Sequence, residues 1–125
     1  MKRLTAQWVK KAESDYVVAK KIARGSDPHH DKVCFHAQQC AEKYLKALLE
    51  DLGQAVPRTH ALEDLVVLLI AHHAILRSLR RAAKFLTGFA VATRYPGKNA
   101  SKREALSALR WAAKVRAAAR TLLKI

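Results

Sequence analysis

From Leu4 to Leu123, apolar residues recur every three or four positions and never settle into strict alternation with polar ones. That period lays apolar side chains along one stripe of a helix, whereas a half-buried strand needs a period of two. The chain is therefore expected to be all-α: an antiparallel bundle of four to five helices forming a single domain over residues 1–125. A length of 125 residues is enough for one real core and too short for two ordinary domains. Half the residues are hydrophobic but only 6% are aromatic, a balance that suits close helix–helix packing better than a strand sandwich.

Punctuation residues divide the bundle. The stripe Leu4, Trp8, Ala12, Tyr16, Ala19 and Ala23 predicts a first helix from about Leu4 to Ala23, ended by Gly25-Ser-Asp-Pro28. A second helix over about Asp31–Leu52 would bury Val33, Ala37, Cys40, Ala41, Tyr44, Leu48 and Leu52, with Gly53 as its stop. Thr59 or His60 can cap the next helix, with Glu63 and Asp64 in its first turn. Leu62 to Leu76 reads as buried, in one helix or two, because His72-His73 interrupts it. A further helix runs to about Ala92, and Pro96-Gly97 breaks it. Ser101-Lys-Arg-Glu104 is a capping box opening a last helix to about Leu123.

Charge is divided unevenly. Residues 1–64 carry 11 Lys/Arg against 9 Asp/Glu, a net of +2, whereas residues 65–125 carry 13 against Glu104 alone, a net of +12. A mixed ion-pair surface would bring matching glutamates. The second half should instead attract polyanions or an acidic protein surface. Arg77, Arg80, Arg81 and Lys84 recur at helical spacing as a basic ridge. Lys102, Arg103, Arg110, Lys114, Arg116, Arg120 and Lys124 are spread more widely, with Trp111 among them; that Trp either packs or stacks on a base. No apolar run approaches about 18 residues, so no membrane span is expected. An N-terminus without an apolar signal region, together with two unpaired cysteines, points to a cytoplasmic setting.

Cys34 and Cys40 point to different faces of one helix, so neither a disulfide nor a CxxC metal pattern is expected. Six histidines are present, including the i, i+4 pair His36–Cys40 and His72-His73, but no set of three or four ligands assembles from spacing. No Gly-rich phosphate loop or GxSxG element occurs, so neither a metal nor a cofactor is expected. Glu42 and Lys46 form an i, i+4 pair of the favoured polarity. With the core face centred near Ala37 and Tyr44, this pair and Gln39 should point away from the core.

Three ordered segments carry a family resemblance: Phe35-His-Ala-Gln-Gln-Cys-Ala-Glu-Lys-Tyr-Leu-Lys-Ala-Leu-Leu-Glu50, then Pro57-Arg-Thr-His60 with Leu62 and Leu65, then Ala92-Thr-Arg-Tyr-Pro-Gly97. Together they resemble the HEPN domain, a small helical module of bacteria and archaea. Trp8-Val-Lys-Lys-Ala-Glu-Ser-Asp15 is similar to that family's first helix, so the resemblance spans most of the chain. It implies a symmetric homodimer, with Gln39, Glu42, Lys46 and Tyr95 facing the partner subunit or the cleft. It also makes His60 part of a Thr-His helix-opening element and His36 a boundary residue of the second helix.

The resemblance implies two settings. Many such proteins accompany a minimal nucleotidyltransferase, as toxin–antitoxin pairs or nucleotide-binding partners, and others cleave RNA without metal. Nuclease members place a His shortly after the Arg that matches Arg94; here Asn99 stands in that window. Asn has no proton that titrates near neutrality and cannot act as general acid or base. Arg24 followed by His29 and His30 meets the same spacing, but in the first loop. The favoured expectation is a dimer that partners a minimal nucleotidyltransferase and holds nucleotide or RNA phosphate through Arg94, Lys98 and the ridge Arg77, Arg80, Arg81 and Lys84. One alternative is a ribonuclease toxin using Arg94 and Asn99. The other is an interaction protein whose basic half docks an acidic partner. Separately from these, Arg94 could serve structurally, with Tyr95 and Pro96 fixing the turn and Arg94 ion-paired to a carboxylate such as Asp15 or Glu42.

Overall fold

The computed structural model describes residues 1–27 and 29–125; the expected stop at Pro28 lies outside them. Five α-helices follow one another: α1 (Arg3–Arg24), α2 (His30–Asp51), α3 (Leu62–Ile70), α4 (Arg80–Ala92) and α5 (Lys102–Leu123). A 3-10 turn over Ala74–Leu79 joins α3 to α4. Among the described residues there is no strand, and no helix is long and apolar enough to cross a membrane.

The helix ends follow from local chemistry. Gly53 adopts φ +72, a left-handed turn that a side chain would strain, and it ends α2 while the Gln54 amide donates back to the Leu49 carbonyl at 3.0 Å. At α5 the reciprocal capping box forms: the Glu104 amide donates to Ser101 Oγ at 3.1 Å, and the Ser101 amide donates to Glu104 Oε1 at 3.0 Å. That second bond holds the Glu104 carboxyl below its ordinary range.

The opening of α3 differs from expectation. Neither Thr59 nor His60 caps it. Thr59 Oγ1 accepts only from the Ala61 amide, at 3.1 Å, and the first helical amide, Leu62, donates to Thr87 Oγ1 on α4, at 2.9 Å. A side chain from a packed neighbour thus satisfies an orphan donor that local capping would have taken. His72 and His73 do interrupt the buried run, dividing it into α3 and the 3-10 turn.

Thirteen of the 22 residues of α2 are buried, more than one face of a helix can supply, so α2 is the central element. It packs against α1, α3, α4 and α5. Helix α1 runs antiparallel to it, as the pairings of Lys2 with Glu50 and of Asp15 with His36 require. Helix α5 runs parallel to α2, since Ala100 meets Asp31 and Arg120 meets Tyr44. Helices α4 and α5 form an antiparallel hairpin. Tyr44, Leu45, Leu48, Leu49, Leu62, Leu65, Leu69, Leu76 and Leu86 fill the centre. Burial of this apolar surface is the main stabilising term.

The stripe on α1 is rotated from its expected position. Leu4 is exposed, and Trp8 and Tyr16 are half-buried. Thr5, Val9, Ala12, Asp15 and Ala19 face inward instead. Small side chains let α1 approach α2 closely, and Asp15 turns in because α2 offers it two cationic or donor partners.

Candidate functional site

Two polar assemblies lie on α2, one inside the bundle and one at its mouth. The inner one is built on Glu42. One of its oxygens, Oε1, accepts from Gln38 Nε2 at 3.1 Å and meets His60 Nδ1 at 3.0 Å; the other, Oε2, accepts from Lys46 Nζ at 3.2 Å. Gln38 also donates to the His60 carbonyl at 3.2 Å, and Gln39 donates to Gln38 Oε1 at 2.8 Å. The Lys46 ammonium lies 5.7 Å from the Trp8 ring centroid.

The side chains of Glu42 and Lys46 are only 5% and 7% exposed within one chain. The expectation that they face outward, toward a partner subunit or a cleft, is therefore corrected. Helix α2 is buried on both sides, but its second cover is the chain's own α1 and the segment carrying His60. With both carboxylate oxygens engaged, Glu42 ties the His60 segment back onto α2.

The outer assembly is a cleft of about 710 Å³ where the start of α2 meets the turn between α4 and α5. His29, His30, Lys32 and His36 line it from α2 and its cap; Arg94 and Asn99 line it from the turn. Phe35, Ala90 and Thr93 form its apolar part. Asp31 ties the two walls together: its Oδ1 accepts from the Ala100 amide at 2.6 Å, immediately before the Ser101 cap. Arg94 is exposed and, among the described residues, forms no ion pair; Asp15 and Glu42, its expected carboxylate partners, are engaged elsewhere.

His36, which spacing paired only with Cys40, has a partner that spacing did not show. It sits in the second turn of α2, half-buried, and its Nδ1 lies 2.8 Å from Asp15 Oδ1. Asp15 Oδ2 in turn accepts from Lys43 Nζ at 2.6 Å. A carboxylate behind one ring nitrogen orients an imidazole and directs the other nitrogen away from it. Asp15 and His36 are 21 residues apart on different helices, so no local pattern could have joined them.

The other expected site residues divide. Lys98 stands beside the cleft but does not line it; its ammonium lies 5.9 Å from the Phe89 ring centroid. Tyr95 is 67% exposed and lies outside the cleft lining, as does Arg24. Arg77, Arg80, Arg81 and Lys84 are all exposed, on the 3-10 turn and the first turn and a half of α4.

Two of the α5 arginines are not open to a ligand. Arg116 makes a two-pronged contact with Glu13, 2.7 Å on each arm, and Arg120 reaches both Glu13 and Tyr44. The Arg116 hydrogen bond holds the Glu13 carboxyl below its usual range and raises its own guanidinium. Burial pushes Tyr44 up to about 12, and likewise the free thiols Cys34 and Cys40, so no thiolate is available there.

The family model that matches residues 5–122 is that of the HEPN domain, and the chain belongs to this family. It is similar to the crystal structure of TT1696 from Thermus thermophilus, at 26% identity over 94% of this chain and 96% of that one, with a TM-score of 0.81. It is likewise similar to ST0689, described as an archaeal HEPN homologue, at 27% identity over 98% of both chains, with a TM-score of 0.74. No curated protein matches the chain.

Proposed function

We propose that this HEPN protein is a phosphate-binding module for nucleotide or RNA that works as a homodimer beside a minimal nucleotidyltransferase. The observation that carries the binding reading is the cleft itself, where an unpaired Arg94 meets Asn99, Lys32 and three histidines from the start of α2. Arg94 presents a planar fork of donors suited to phosphate, and Asn99 adds a neutral donor. Among the described residues Asp31 is the one acidic lining residue, and its Oδ1 accepts from the Ala100 amide. The dimer and the nucleotidyltransferase partner rest on the family. In this chain the dimer is supported by apolar surface near the cleft: Phe35, Val91 and Tyr95 are 39%, 46% and 67% exposed.

A second reading, RNA cleavage, is favoured by His36. Asn99 cannot move a proton, but an imidazole held by a buried carboxylate can. It would take the proton from a ribose 2′-hydroxyl as that oxygen attacks the adjacent phosphorus. The 5′-oxygen would leave with a proton from a second acid, for which His29 and His30 are the candidates at the same cleft. The products would be a 2′,3′-cyclic phosphate and a 5′-hydroxyl.

One experiment separates the readings: labelled RNA is incubated in EDTA with the wild type, Arg94→Ala and His36→Asn. Salt-sensitive binding without cleavage, weakened in Arg94→Ala, is the expected result. Cleavage lost in both variants would replace it with the nuclease reading. Neither binding nor cleavage would leave the basic half as a docking face for an acidic protein.

A further inference from the structure

A second cavity, sharing no residue with the cleft, opens between α5, α4 and the 3-10 turn. It measures about 530 Å³ and is lined by Ser78, Leu79, Arg81, Phe85, Trp111 and Lys114. From this combination we infer a nucleotide-binding site in which Trp111 stacks on the base while Arg81 and Lys114 take the phosphate. The ligand is one nucleotide unit, either free or as a residue of single-stranded RNA.

Four features converge. The volume falls within the range of small-molecule clefts. Trp111 is only half-buried and Lys114 is exposed, so both belong to the cavity wall and not to the sealed core. The Lys114 ammonium lies 4.7 Å from the Trp111 ring centroid. A base entering the cavity takes that ring face and releases the ammonium toward the phosphate, exchanging one cation–π contact for stacking plus an ion pair. Phe85, which lines the cavity from α4, stacks on Phe89 with centroids 5.8 Å apart and planes 5° apart, a contact that restrains its ring.

The electrostatics favour an anion. Among the described residues neither Arg81 nor Lys114 is in an ion pair. The single side-chain carboxylate between residues 65 and 125 is Glu104, held in the cap of α5. Arg77 on the 3-10 turn and Arg80 and Lys84 on α4 are exposed near Arg81 in the chain and offer further cations for the flanking phosphates of a longer strand.

The test is a fluorescence titration of the full chain in a Trp8→Phe background, which leaves Trp111 as its only indole. The probes are AMP, ATP, a short oligoadenylate and, as a base-free anion, tripolyphosphate. Saturable quenching by the adenine ligands is expected, with the midpoint weakened about tenfold or more in Arg81→Gln/Lys114→Gln and unmoved in Arg94→Ala. Quenching by AMP and the oligomer alike assigns a free nucleotide as sufficient; quenching by the oligomer alone assigns a strand residue. Absence of saturable quenching overturns the inference, as does quenching by tripolyphosphate equal to that by ATP. A signal lost in Arg94→Ala but kept in the double variant also overturns it. The cleft reading fails separately: Arg94→Ala would then bind RNA as the wild type does, whatever the Trp111 titration shows.

Discussion

Glu42 shows how a residue's role depends on what is folded over it. In sequence, Glu42 and Lys46 are an ordinary i, i+4 pair, worth a few tenths of a kcal/mol on an open helix surface. In the fold both are nearly sealed, and Gln38 and His60 share the same carboxylate. Breaking such a buried pair from one side strands the other charge, at a cost of about 3–5 kcal/mol. Glu42→Ala should therefore lose stability on that scale in urea denaturation. Glu42→Leu/Lys46→Leu should lose much less, because no charge is left without a partner. A Glu42→Ala variant as stable as the wild type would mean the pair is solvated after all. Periodicity could not reveal this, since it sorts residues by polarity, and a buried ion pair has the same spacing as a solvated one. The same limit hid His36: its significance lies in Asp15, on a different helix, and only the α1–α2 packing brings the two within 2.8 Å. That Arg94 and Asn99 line one cleft could be expected from sequence, because they fall within one short segment.

At the scale of elements, the boundaries written in Gly, Ser and Glu residues were legible, and those written across space were not. The Ser101 box was readable because its partner is three residues away. The start of α3 was not, because the group that satisfies the Leu62 amide comes from α4, 25 residues on. Thr87→Val keeps the shape but removes the acceptor, so the loss should be about 1–2 kcal/mol, measured against Thr87→Ser, which keeps the hydroxyl. Helix α5 is fastened to α1 in a similar non-local way, through Glu13 and its two arginines. The Glu13 carboxyl is lowered from its ordinary value of 4.5, chiefly by the Arg116 hydrogen bond. A depressed folded value stabilises the native state at all pH above the unfolded value, and that contribution disappears as pH falls through the folded one. The melting temperature of the wild type should thus fall more steeply below about pH 4.5 than that of Glu13→Gln. Parallel acid limbs would show that the fork contributes nothing measurable.

For the whole molecule, the charge asymmetry seen in the sequence survives folding, but unevenly. Of the cations in the second half, Arg116 and Arg120 hold α1, whereas Arg77, Arg80, Arg81, Lys84 and Arg94 are exposed without ion pairs among the described residues. Composition counts both sets alike; a polyanion does not. Each phosphate neutralised by a single-stranded ligand adds about 0.7 to the slope of log affinity against log salt. Replacing Arg80 and Arg81 by Gln should accordingly flatten the slope for single-stranded RNA by about 1.4 while leaving the melting temperature nearly unchanged. Arg116→Gln removes the same kind of charge but should leave the slope where it was and lower the melting temperature, because its guanidinium already serves Glu13. Equal flattening per charge by both kinds of variant would mean that RNA senses only the net charge of the molecule. Unequal flattening would mean that it senses the cations this fold leaves uncompensated, the ridge on the 3-10 turn and the start of α4 and Arg94 on the turn after it.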